Sequence, residues 1–126
     1  VSTGLPVPNH RWIAVGSGLA GLAVALGAFG AHALREMVPE ARIATWQTAV
    51  LYHLVHSVAL ILVGLCGGPV AAFRLFLAGM TLFSGTLYAY VLTGTMLGPI
   101  PPVGGLCLMA GWVWFAVASL QNAGKD

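Results

Sequence analysis

The sequence predicts an all-α membrane protein, an up-down four-helix bundle with short loops, on three observations. Of its 126 residues, 59% are hydrophobic and 6% charged, about a quarter of the ~25% charge of a soluble domain. Its mean hydropathy of +0.92 is too high for a disordered chain, which is poor in large apolar residues. The apolar residues gather into four runs, at about 12–34, 43–65, 73–93 and 103–120, each near the roughly 20 residues that cross a hydrocarbon core. One transmembrane domain, 1–126, accounts for the length.

The first span opens at Trp12, an indole suited to headgroup depth, and reaches Leu34. Arg11, an apolar run and Ala31-His32-Ala33 also resemble a cleavable signal peptide. The run exceeds the about 7–15 residues of such a core, so it is read as a retained span. Two of its faces are smooth: Gly16, Ala20, Ala23, Gly27 and Gly30 along one, and Gly18, Gly21, Ala25, Ala28 and His32 along the other. Helices in lipid associate by close backbone approach and hydrogen bonds. Span one is therefore expected at the centre, with a neighbour on each side.

Arg35 to Arg42, with Pro39 and four of the eight charged residues, joins spans one and two. Trp46 lies near the start of span two, whose Thr45, Thr48, Tyr52 and His56 share a face flanked by His53 and Ser57. Gly67-Gly68-Pro69 ends it. Span three has Arg74 at its lip and Thr81, Ser84 and Tyr88 on one side, the second candidate polar interior. Gly94 to Pro102 turns the chain with prolines that stop one helix and start the next. Span four has a narrower small stripe, Gly104, Cys107 and Gly111.

Five basic and three acidic residues leave a net charge of +2, with no clustered basic face for nucleic acid. Arg11, Arg74 and Lys125 fall on one side of the membrane and Arg35 and Arg42 on the other, which by the positive-inside rule places both termini in the cytoplasm. No Asp, Glu, Lys or Arg lies deep in a span, so the usual groups of a charge-coupled pump are missing. No paired acids, Ser/His/Asp set or Gly-rich phosphate loop supports an enzyme acting on lipid or quinone. His32, His53 and His56 remain. His53 and His56 stand three residues apart near mid-membrane, where one ion could be shared with His32 and Cys107 as a copper, zinc or haem site; no cofactor is required, because histidines bonded to hydroxyls meet the same polar demand.

Gly27-Ala28-Phe29-Gly30-Ala31-His32-Ala33-Leu34 resembles the end of the first span in the YgdD-like inner-membrane proteins, a group that includes the transmembrane protein 256-like proteins of eukaryotes. Trp46-Gln47-Thr48-Ala49-Val50 with Tyr52-His53-Leu54 and His56-Ser57 is similar to that family's second span. Leu82-Phe83-Ser84-Gly85-Thr86-Leu87-Tyr88 is similar to the third, and Pro102-Val103-Gly104-Gly105 with Gly111-Trp112 to the fourth. Pro101 departs from a threonine common there, and residues 1–11 lie outside the likeness. The resemblance implies a four-helix protein of the bacterial inner membrane and no reaction. It leaves His32 and the Tyr52/His53/His56 group open between function and packing.

The expectation is a non-catalytic membrane protein acting through helix contacts, as a homo-oligomer or an accessory subunit of a membrane complex. The alternative is a metal-binding, cofactor-binding or small-solute-conducting protein built on the histidines.

Overall fold

The computed structural model describes residues 5–125; Asp126, one of the three acids, lies outside them. Four long helices form an up-down bundle: α1, His10–Ala31; α2, Glu40–Leu65; α3, Val70–Thr93; and α4, Ile100–Ala123. At ~1.5 Å per residue, the 26 residues of α2 reach about 39 Å, more than the ~30 Å hydrocarbon core.

Each helix end has a local cause. The Asn9 side chain accepts the Trp12 amide at 3.2 Å, while the Asn9 amide donates to the Gly64 carbonyl at 2.7 Å, which ties the start of α1 to the end of α2. Pro39 and Pro69 precede α2 and α3, and prolines occupy the first turn of α4, where a missing N–H costs nothing. Gly94 ends α3 at φ +77°, and a Cβ there would meet the Arg42 guanidinium at 2.9 Å. Arg42 reaches across from α2 to the Val91 carbonyl at 3.4 Å and lies 5.8 Å from the Tyr90 ring centre, a cation at the negative end of α3.

α1 stops three residues before the end of its apolar run. His32 leaves helical geometry, and a 3₁₀ turn, Ala33–Glu36, follows. Leu34 in that turn folds under the bundle and is buried, packing with Ile43, Trp46 and Val91. Its apolarity serves the core from outside the helix.

The centre of the bundle is α2, a correction to the expected central place of span one. α1 packs along α2, α4 packs along α3, and α2 and α3 join the two pairs. Gly16, Ala23 and Gly30 are buried against α2, with Ala20 and Gly27 partly buried. A Cβ at Gly16 would stand 2.8 Å from the Ser57 carbonyl oxygen, and one at Gly30 would strike the Trp46 indole. The second smooth face has no neighbour: Gly18, Gly21, Ala25 and Ala28 are exposed, and a Cβ at Gly18 or Gly21 would meet nothing within 4 Å.

α3 changes winding midway. Thr81–Gly85 forms a π-helical turn, which frees carbonyls from the regular ladder; the Thr86 hydroxyl donates to Phe83 O at 3.1 Å. Gly104 of α4 receives the bulge: a Cβ there would lie 2.5 Å from Phe83 N. On either side of it, Gly79 accommodates Leu108 and Gly111 accommodates the Phe76 ring.

Candidate functional site

The polar chemistry centres on α2. His53 lies 13 residues into its 26, about 20 Å from the Glu40 end and so near the midplane. His53 and His56 are 5% and 4% exposed, yet they face different partners. His56 Nδ1–H donates to the Tyr52 carbonyl at 2.7 Å, since a carbonyl can only accept. That leaves Nε2 as the acceptor for the Trp112 indole N–H at 3.0 Å. Both ring nitrogens are engaged, and the imidazole is held as a neutral bridge between α2 and α4.

His53 pairs with Tyr88 of α3, Nδ1 to phenol oxygen, at 2.9 Å. The phenol donates to Nδ1 in one imidazole tautomer and accepts Nδ1–H in the other. The Trp46 ring stands 4.7 Å behind Tyr88, with its own N–H donated to Leu26 O at 2.8 Å. The Ser84 hydroxyl crosses to the Ala49 carbonyl at 2.7 Å, and Ser57 turns back on the His53 carbonyl at 2.7 Å. Among the described residues no buried side-chain nitrogen or oxygen lacks a partner.

Several candidate residues lie elsewhere than the sequence suggested. His32 is exposed at the α1 terminus, outside the helix it was placed in. Cys107 is partly buried in α4. No group of three or more His, Cys, Asp or Glu among the described residues is arranged to hold a metal, so His32, His53, His56 and Cys107 do not assemble into one centre. Tyr52, expected inside, is 41% exposed, its ring against Phe83 with centres 4.8 Å apart. Thr81, also expected inside, is exposed and bonds its own helix at Leu77 O, 2.8 Å away. The hydroxyls of Thr81 and Ser84 show the two fates open to such groups in a membrane helix, the i−4 carbonyl or a neighbouring helix.

Sequence reasoning missed Trp112 as a partner of His56. The signal was its position: membrane tryptophans favour the two interfaces, and an indole at mid-span needs an acceptor for its N–H. Gly79, which accommodates Leu108, was missed as well.

A cleft of about 220 Å³ opens between α1 and α3, with Leu19, Leu22 and Leu26 on one wall, Met80, Gly85 and Tyr88 on the other, and His53 at its floor. Leu22 and Gly85 at the rim are exposed, so at this depth the opening faces lipid rather than water.

These helices and their internal bonding define a small polytopic membrane protein whose solvent is the bilayer. Residues 26–105 match a family described as "Protein of unknown function (DUF423)", and the chain belongs to this family of UPF0382 membrane proteins, the YgdD-like and transmembrane protein 256-like group. It is 36% identical over 119 residues to a UPF0382 membrane protein of Staphylococcus aureus, spanning 90% of this chain and 98% of the relative. It is 38% identical over 108 residues to the UPF0382 membrane protein YwdK of Bacillus subtilis, spanning 79% and 88%. A UPF0382 membrane protein of Staphylococcus epidermidis is 35% identical over 119 residues, spanning 90% and 98%. No solved structure matches the chain.

Proposed function

We propose that this is a non-catalytic protein of the bacterial inner membrane, with both termini cytoplasmic, that acts through helix contacts as a homo-oligomer or an accessory subunit of a membrane complex. The observation that supports it is the uncovered face of α1. Gly18, Gly21, Ala25 and Ala28 line the middle half of a helix whose opposite small face is already used against α2. A smooth face lets a second backbone approach closely, the main source of helix affinity in lipid. The histidines fit a non-catalytic role: His56 has both nitrogens engaged, and His53 bonds Tyr88.

Crosslinking from Gly21→Cys in native membranes tests this directly. A covalent self-dimer or a defined heterologous adduct is expected, lost when Cys is placed at Leu106 on the outer side of α4, which is 61% exposed. A monomer that captures nothing from Gly21→Cys contradicts it.

A further inference from the structure

We propose that Arg74 and the open groove beneath it on α3 hold an anionic phospholipid, its phosphate on the guanidinium and one acyl chain in the groove. The claim goes beyond helix contact and stands without it.

Charge sets the first condition, and the two ends of α3 differ in it. At the carboxyl end Arg42 has the Val91 carbonyl at 3.4 Å and the Tyr90 ring, and the helix dipole favours a cation there. Arg74 is the fifth residue of α3, and long side chains on a helix lean back toward its N-terminus. Its guanidinium therefore sits at the positive end of the dipole, which favours an anion. The first turn of α3 holds no acid, and Glu36 and Glu40 stand at the opposite end of the bundle. Arg74 is exposed, and it takes part in none of the side-chain hydrogen bonds among the described residues that tie Arg42, Trp46 and Trp112 in place. A guanidinium has only donors to offer, and these face outward.

Depth and shape decide which anion. At ~1.5 Å per residue α3 is about 36 Å long, roughly 6 Å more than the hydrocarbon core. Centred on the bilayer, it places the Arg74 backbone just inside the edge of the core, and the charged head rises to the phosphates. Arg74, Leu77, Ala78, Thr81 and Leu82 line an open groove of about 390 Å³. Residues at this spacing share one helix face, so the groove descends from headgroup level for about 12 Å, most of the ~15 Å of hydrocarbon in one leaflet. Ala78 is short, and Thr81 turns its hydroxyl back on Leu77 O at 2.8 Å. The floor is therefore low and presents mainly carbon between Leu77 and Leu82. A free phosphate would use the arginine alone, and a zwitterionic lipid brings its own cation to it. An anionic phospholipid uses the arginine and the groove together.

The test is native mass spectrometry of the full chain in detergent with equal amounts of dioleoyl phosphatidylglycerol and dioleoyl phosphatidylcholine. Phosphatidylglycerol should be retained about fivefold over phosphatidylcholine, the worth of one basic residue near an anionic surface. Arg74→Gln should bring the two lipids to parity. Arg11→Gln, which removes another exposed cation at the same end of the bundle, should leave the preference in place. Ala78→Leu, at an exposed position, should fill the groove and remove the retained lipid without lowering the melting temperature. Inorganic phosphate in large excess should not displace the lipid. Parity in the unaltered chain, equal effects of Arg11→Gln and Arg74→Gln, or retention that survives Ala78→Leu overturns the proposal. Displacement by inorganic phosphate overturns it too, by identifying a free-anion site. The Ala78→Leu result applies even if Arg74→Gln fails to fold.

Discussion

Trp112 of α4 donates its indole proton to His56 of α2 at 3.0 Å, and this bond determines what His56 can do. With Nδ1 already donating to the Tyr52 carbonyl, the ring has no lone pair left for a metal and no free proton to give. It acts as a crossbar between two helices that otherwise meet mainly through α3.

The strength of that crossbar is measurable by a double-mutant cycle. Trp112→Phe and His56→Phe, alone and together, should show a coupling of about 0.6 kcal/mol and at most ~1.7 kcal/mol, the range for hydrogen bonds between membrane helices. Unfolding by detergent titration reads it. Strict additivity would mean that the bond contributes nothing.

Glycines should divide by what their missing Cβ would touch. Gly104→Ala sets a methyl 2.5 Å from Phe83 N and 2.8 Å from Leu82 C, both backbone atoms with little room to move. A loss of about 1–3 kcal/mol, typical of overpacking, is expected in the same unfolding assay. Gly18→Ala, facing open space, should leave the isolated protein's stability unchanged or slightly raised, since Ala is the better helix former. Equal effects at the two sites would contradict the packing described.

Trp46 offers a third check. Its indole fills the space that Gly30 leaves open and donates to Leu26 O at 2.8 Å. Gly30→Ala should therefore be rejected as strongly as Gly104→Ala, because the ring it strikes is both buried and bonded. A combined Gly30→Ala, Trp46→Phe protein should be more stable than the sum of the single losses implies, read as a positive coupling in detergent unfolding.

Orientation can be read from Cys66, an exposed free thiol at the same end of the bundle as the two termini. With the termini cytoplasmic, a membrane-impermeant maleimide should label Cys66 in inverted vesicles and spare it in intact spheroplasts. The opposite pattern would reverse the topology.

Much of this was readable in the sequence, and the gaps have physical reasons. Four apolar runs with short polar or Gly/Pro breaks specify four spans, because a backbone in lipid must satisfy its own hydrogen bonds. The spacing of Gly16, Ala23 and Gly30 marks a contact face but does not say which helix fills it, or whether Gly18 and Gly21 have a neighbour within the same chain. The run to Leu34 exceeds the helix because the core needs an apolar plug there, and hydropathy cannot tell a buried turn from another turn of helix. His53 and His56 are three residues apart, which suggests a shared ligand. The interposed partners, Tyr88 and Trp112, come from helices whose rotation only the three-dimensional packing fixes. The π turn at Thr81–Gly85 has no local sequence signal that we recognise.

The claim beneath all of this is that α1 to α4 cross a bilayer and are solvated by it. Washing membranes from broken cells at high pH with carbonate, then pelleting them, tests it most directly. The protein should remain wholly in the pellet and leave it only on addition of detergent; recovery in the carbonate supernatant would contradict the account.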